Sequence, residues 1–372
     1  MTEVRPGFDA LLPAMLIGFL VAAIFAWPVY KVLLAMKSRQ TVSQYVPEHA
    51  AKQGTPTMGG IIICIGFLAS CIYLGGRFAP LADHAESRSN LAFPVLFFGF
   101  MVIGFVDDFV VPRMLKGKRG LGWTQKLAMQ IAVAAGTCFL LSPSLLAWEL
   151  GLIVFLILFF SNAYNFADGL DWLATTLLLA MLVGYGVLAK IADVTPVIAY
   201  MGALGAAALP FMFLNRPPAK VFMGDVGALP IGAVIGLAVA VTSRPQLAFG
   251  MQDYRTTAFN DWMPTNSLSL GVALGLAAVS FMMVAELVPV PLQILSVKLR
   301  KGKRIFLATP IHHSFQRMGW KESRVVLAFF TTQVVCSILG VALAMAMLPG
   351  ERAARVESSR ERMKSFQRQP GP

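Results

Sequence analysis

Apolar runs of bilayer-spanning length, separated by short polar connections, fill the chain from residue 11 to residue 348. They lack the strict in-and-out alternation of barrel strands, and a helix crosses the hydrocarbon core in about 20 residues. The runs predict spans at 11–36, 58–74, 91–106, 124–141, 145–160, 172–192, 196–214, 226–242, 268–296 and 325–348. The expected fold class is therefore all-α: a polytopic integral membrane protein with about ten transmembrane helices in a single domain over residues 1–348. Pro289 and Pro291 should kink or break the ninth span, because proline removes a helix hydrogen bond and crowds the preceding turn. The first run is too long for the apolar core of a signal peptide and no basic segment precedes it, so it is expected to be retained. Residues 349–372 are polar and rich in Arg and Glu. Such a composition buries too little to order itself, and a disordered tail is expected there.

Composition agrees with this pattern. Hydrophobic residues make up 57% of the chain and charged residues 13%, with mean hydropathy +0.68, whereas a soluble domain is nearer a quarter charged. What the charges add is direction. Lysines and arginines gather in the odd-numbered connections: Lys37, Arg39 and Lys52 after the first span, Arg113, Lys116, Lys118, Arg119 and Lys126 after the third, and Lys298, Arg300, Lys301, Lys303 and Arg304 after the ninth. The even-numbered connections hold Arg77, Arg88, Lys190, Arg244 and Arg255. Positive charge marks the cytoplasmic side, so both termini are expected to be periplasmic. A formal net charge of +12 in such a chain suits an anionic lipid surface and phosphorylated substrates, with no nucleic acid. Cys64, Cys71, Cys138 and Cys336 all fall inside apolar runs without metal or redox spacing and read as core thiols.

On this map the chemistry-bearing residues collect on the cytoplasmic face. The segment "NAYNFADGLDWLA", residues 162–174, is the one inner connection without a lysine or arginine, so its acids do not balance an orientation signal. Asp107 and Asp108 of "GFVDDF" close the third span, Asp168 and Asp171 the fifth, and Asp225 of "VFMGDVG" opens the eighth. His312 and His313 lie in the last inner loop, and Lys52 precedes the Gly-Thr-Pro-Thr turn that opens the second span. A single helix-end aspartate is as well explained by capping. Several on one face, with a histidine pair, point to carboxylates from separate helices converging on Mg²⁺, which prefers oxygen ligands and keeps substrate phosphates in its shell. Asp107 and Asp108 point about 100° apart on a helix and should play different roles. Asn165, Asp168 and Asp171 can share a face only pairwise, unless the helix tightens or breaks at Gly169. Gly224 and Gly227 permit close backbone approach to a phosphate. Glu286, inside the ninth span, reads as a bonded structural acid.

In order and spacing, "GTPTMGG", "VDDF", "NAYNFADGLDWLA", "VFMGDVG" and "GKRIFLATPIHHSF" resemble the phospho-N-acetylmuramoyl-pentapeptide transferases, the MraY translocase family, over residues 11–348. The resemblance implies ten transmembrane helices in the bacterial inner membrane, a cytoplasmic active site and Mg²⁺ dependence. It implies transfer of phospho-MurNAc-pentapeptide from UDP-MurNAc-pentapeptide to undecaprenyl phosphate, giving lipid I and UMP in peptidoglycan synthesis. It further implies that Asp107, Asp108 and His312 are catalytic and that Asp225 holds the metal. Lys52, Asn165, Asp168, Asp171, Phe222 and His313 would then bind substrate. The expected partners are the two substrates, membrane lipids and a second copy of the chain. Three departures stand out: Ser314 replaces a third consecutive histidine, Trp172 stands where glycine is usual, and the proline pair replaces a Ser-Val stretch.

Two rival classes make different demands. A sister polyprenyl-phosphate N-acetylglucosamine-1-phosphate transferase would keep the aspartates but differ around the histidine loop. A secondary transporter would put its acids near the bilayer midplane and pair broken helices across two halves. Direct attack by the lipid phosphate and a covalent phospho-aspartate both fit the residues named.

Overall fold

The computed structural model describes residues 8–36, 54–78, 84–115, 120–142, 145–244 and 267–367. Their regular elements are all helices: α1 (Phe8–Ala35), α2 (Ile61–Phe78), α3 (His84–Phe105), a π turn (Val106–Val110), α4 (Val111–Met114), α5 (Trp123–Leu141), α6 (Ala147–Ala167) and α7 (Leu173–Ile191). The chain continues through α8 (Thr195–Leu214), α9 (Asp225–Ser243), α10 (Ser267–Val279), α11 (Phe281–Leu287), α12 (Pro289–Leu299), α13 (Ile311–Arg317) and α14 (Glu322–Gln367). Among the described residues nine helices are long and apolar enough to cross a membrane, which makes this a multi-pass membrane protein.

Every expected span meets a helix, with three differences. The second span is a shorter apolar helix, Ile61–Gly76, and falls outside the nine. The ninth is divided into α10, α11 and α12. Pro289 and Pro291 lack the N–H groups that would bond the carbonyls of Ala285 and Leu287, and α12 starts at the first of them. The division at Ser280 was not legible in the prolines. There the Ser280 hydroxyl lies 2.6 Å from the Leu276 carbonyl, a local bond that bends helices, and 2.8 Å from the Tyr185 hydroxyl. The third difference is length: α14 runs past residue 348, the expected end of the tenth span, to Gln367. Its Ala, Arg, Glu, Met and Lys content favours helix, and a span already nucleated needs only propagation.

The centre of the bundle is α9. All of its residues from Val226 to Thr242 are buried, whereas α1 turns Leu12, Leu16, Leu20 and Ile24 outward on one stripe, as a lipid-facing helix does. Small residues allow α9 to be surrounded. A Cβ on Gly232 would lie 2.3 Å from the Phe160 carbonyl oxygen, and one on Gly236 would lie 2.6 Å from that of Leu156. The α6 and α9 backbones therefore touch, as in close-packed membrane helices. A Cβ on Gly104 would fall 2.3 Å from the Asp225 carbonyl oxygen, and one on Gly60 would fall 2.4 Å from Gly227 Cα. Glycine thus brings α2 and α3 against the first turn of α9, where the carboxylates meet.

Candidate active site

Asp107 and Asp108 occupy the π turn, and Asp225 is the first residue of α9. One oxygen from each lies within 4.8 Å of the others. Their hydrogen bonds differ, as their divergent positions led us to expect. Asp108 Oδ2 accepts from Val226 N at 3.1 Å, satisfying a first-turn N–H and facing the positive end of the α9 dipole. Asp107 Oδ1 accepts from Leu121 N at 2.5 Å, and its Oδ2 accepts from Lys126 Nζ at 3.2 Å. Lys126 also pairs with Asp225 Oδ2, while Asn165 Nδ2 donates to Asp225 Oδ1 at 2.7 Å. Gly224 makes the approach possible. It sits at φ +73°, and a Cβ there would lie 2.5 Å from Asp108 Oδ2. Three carboxylates against one ammonium leave the cluster an excess of negative charge, and Asp107, Asp108 and Asp225 together offer the oxygen-only donor set of a hard divalent cation.

Lys126 was counted from sequence only as an orientation charge. A signal was there: a lysine near the start of a helix opposes the macrodipole, and it asks for an acidic partner. Lys52, in contrast, lies outside the described residues.

The glycine-rich segment before α2 serves the site through its backbone. Gly59 N donates to the Phe222 carbonyl at 2.7 Å, Gly60 N to that of Met223 at 2.9 Å, and Phe222 N to that of Pro56 at 2.9 Å. This pairing fixes the strand-like stretch that carries Phe222 into Asp225. Asp171 fastens the same loop from the other side. Its side chain is 3% exposed, Oδ2 accepts from Ala219 N at 2.9 Å, and its own N–H donates to Glu322 Oε1 at 2.7 Å. Asp168 ends α6 one residue before Gly169, so the helix breaks there and Asn165, Asp168 and Asp171 do not share one face. Trp172 adopts φ +70°, a left-handed conformation that glycine enters freely. Two bonds hold the tryptophan in it: Trp172 N to Asn215 Oδ1 and the indole N–H to the Met212 carbonyl, both at 2.8 Å.

The histidine loop packs against that break. His312 lies on α13 with Nδ1 2.9 Å from Glu286 Oε2, both side chains fully enclosed. A Cβ on Gly169 would lie 2.4 Å from His312 Nε2, so the absence of a side chain at 169 makes room for the imidazole. The His313 ring lies 4.1 Å from that of His312 between centroids, tilted by 55°, and sets Nδ1 2.8 Å from Gln316 Oε1. Ser314 Oγ donates to the Ala308 carbonyl at 2.6 Å and accepts from Ala308 N at 3.0 Å, closing the loop on itself.

The chain matches the family model "Glycosyl transferase family 4" over residues 91–243, which takes in the π turn, the 162–174 segment and Asp225. It matches "Phospho-N-acetylmuramoyl-pentapeptide-transferase signature 1" over residues 52–64. The phospho-N-acetylmuramoyl-pentapeptide-transferase of Moorella thermoacetica is 32% identical over 352 residues, covering 90% of this chain and 98% of that one. That of Staphylococcus saprophyticus is 32% identical over 349 residues, with 88% and 97% covered. That of Francisella tularensis subsp. novicida is 31% identical over 364 residues, with 87% and 90% covered.

Proposed function

This chain belongs to the phospho-N-acetylmuramoyl-pentapeptide-transferase family, and from that premise we propose how its residues carry out the reaction. The enzyme is a phosphoglycosyl transferase that makes lipid I for peptidoglycan. The donor is UDP-MurNAc-pentapeptide and the acceptor undecaprenyl phosphate, used at the cytoplasmic face of the bacterial inner membrane. The lysine and arginine bias supports that sidedness.

The observation that carries this reading is the meeting of Asp107, Asp108, Asp225, Lys126 and Asn165 at the start of the most enclosed helix. Two polyanions must approach each other here, and the chain supplies the groups to organise charge. Asp107, Asp108 and Asp225 would hold Mg²⁺, which would supply charge to offset that of the diphosphate and the UMP leaving group. Asn165 orients the Asp225 carboxylate, and the Lys126 ammonium offers a second positive charge to phosphate oxygens. Asp107 takes the remaining proton of the lipid phosphate, a light task because a phosphate monoester's second pKa is about 6. The lipid phosphate oxygen then bonds to the β-phosphorus as the bond from that phosphorus to the bridging oxygen breaks, and UMP leaves with the bridging oxygen.

We favour this direct attack over a phospho-aspartate. Asp108 Oδ2 caps α9, which blunts that carboxylate as a nucleophile, and Asp107, once it has taken the proton, is a neutral acid and a poor nucleophile. Phe222, on the loop fastened by Asp171, stacks on the uracil, and Asp168 and His313 border the donor. The polyprenyl tail lies along α11 and α12, where Phe281, Val284, Val288, Leu292, Leu295 and Leu299 form an exposed apolar stripe at helical spacing.

The test is purified enzyme in detergent with Mg²⁺, undecaprenyl phosphate and radiolabelled UDP-MurNAc-pentapeptide or UDP-GlcNAc. Labelled lipid and UMP are expected from the muramoyl donor alone, and EDTA should stop their formation. Product from UDP-GlcNAc alone would move the chain to the sister transferases. Exchange of labelled UMP into donor without acceptor would replace direct attack by the covalent route.

A further inference from the structure

Where the histidine loop meets α11, two buried polar atoms lack hydrogen-bond partners among the described residues: His312 Nε2 and Glu286 Oε1. The side chains are 1% and 0% exposed, and they meet through Nδ1 and Oε2 at 2.9 Å. A buried nitrogen without a partner is costly, and such costs persist in native proteins where a ligand or a chemical task accounts for them. An ionisable side chain enclosed in a membrane bundle is a functional candidate for the same reason.

We propose that Glu286 is a positioning residue for phosphoryl transfer: its carboxylate holds His312 in the Nδ1–H form, so that the unprotonated Nε2 beside Gly169 faces a hydroxyl or N–H donor of the bound substrates. This rests on the proposed reading of the site and names a residue which that reading leaves out. A carboxylate only accepts hydrogen bonds, so the nitrogen facing it carries the proton. The outer Nε2 then carries a lone pair and accepts a hydrogen bond. The logic is that of carboxylate–histidine pairs in which a second acid fixes the ring's tautomer and direction.

The surroundings hold both partners rigidly. Glu286 lies in the last turn of α11, next to the carbonyls that Pro289 and Pro291 leave without helix donors. On α12, Gln293 Oε1 accepts from Ile305 N at 2.9 Å and Phe306 N at 3.1 Å, and its Nε2 donates to the Phe306 carbonyl at 2.9 Å. Ser296 Oγ donates to the Lys303 carbonyl at 2.9 Å. The segment entering the histidine loop is therefore tied to the same broken span that supplies Glu286. On the far side, Gly169 carries no side chain that would meet the ring at Nε2.

The test compares wild type, Glu286→Gln, His312→Ala and the double variant, each checked for folding by thermal unfolding in detergent. Glutamine keeps the shape but can offer Nδ1 either its oxygen or its NH₂, which releases the tautomer. With ¹⁵N-imidazole labelling, and His312→Ala to assign the resonance among four histidines, wild type should show a single Nδ1–H ring and Glu286→Gln a mixture. In Glu286→Gln, kcat should fall about 10- to 100-fold, the usual scale for an orienting partner, with the donor KM within about threefold. The double variant should lose no more than His312→Ala alone. An unchanged ring spectrum, wild-type kcat in Glu286→Gln, or losses that multiply in the double variant would each overturn the proposal. If Glu286→Gln does not fold, Glu286→Asp enters the same measurements, with an altered ring spectrum and lowered kcat expected and wild-type behaviour counting against the idea. A wild-type enzyme that makes no lipid product would instead overturn the reading of the site itself.

Discussion

The two ends of α9 both carry ion pairs with neighbouring helices, and the pairs are built differently. At the last turn Arg244 meets Glu149 of α6, with side chains 7% and 2% exposed. Glu149 Oε2 also accepts from Leu146 N at 2.8 Å, capping its own helix. Acid and base are buried together, away from solvent. At the first turn Lys126 faces Asp107 and Asp225 with Asp108 alongside, and the Lys126, Asp107 and Asp225 side chains are 18%, 15% and 19% exposed. That end has surplus negative charge and access from outside. A closed pair completes itself, and its contribution is geometric order. An open, acid-rich cluster has work left to do, and cations and phosphates supply the missing charge balance. Because α6 and α9 run antiparallel, with Glu149 at one end and Asn165 at the other, the same two helices carry the lock and the site.

The sharpest break in this contrast is Asp225→Asn, which keeps shape but removes the charge and one of the two acceptor oxygens that Lys126 and Asn165 use. It should lower kcat by about 1,000-fold or more, about 4 kcal/mol of barrier, without altering thermal stability. Turnover at the wild-type rate across a Mg²⁺ series would remove the metal role from the acidic end. At the other end, Arg244→Met takes the guanidinium away from buried Glu149 and should cost about 3–5 kcal/mol of stability. Unfolding in detergent measures this loss, and Glu149→Leu combined with Arg244→Met should restore most of it. A fall in kcat with stability intact would dissolve the distinction between lock and site.

Smaller effects are expected on the loops around the open end. Phe222→Ala should raise the donor KM about tenfold, or about 1.4 kcal/mol, and leave the KM for undecaprenyl phosphate unchanged. Equal shifts in both would make Phe222 a packing residue. Ser314→Ala should remove a loop bond worth about 1 kcal/mol of stability, and Ser314→His should change kcat by less than about tenfold. A hundredfold gain in the histidine variant would mean that a third histidine acts on substrate, where the structure shows a hydroxyl closing the backbone.

Fold class, the family and most of the candidate site are determined by the sequence alone, because each signal is local. An apolar run of spanning length reports its own transfer free energy, and motifs such as "VFMGDVG" state which chemistry stands at a helix end. Which helix lies at the centre is not a local property. Over an 18-residue stretch of each, mean hydropathy is 2.3 for α1 and 2.0 for α9, although 22% of the first stretch and 94% of the second is buried in protein. Lipid and protein interior are both apolar, so hydrophobicity does not separate them; only the small residues of α9 hinted at helix-to-helix contact. The same holds for partners distant in sequence. Lys126 and Asp225 are 99 residues apart, and Glu286 and His312 meet across a broken span. Only the tertiary packing turned the lysine from an orientation charge into a partner of the site, drew Asp171 into a loop bracket, and set the buried acid of the ninth span behind the histidine, because each pairing depends on which backbones glycine allows to touch.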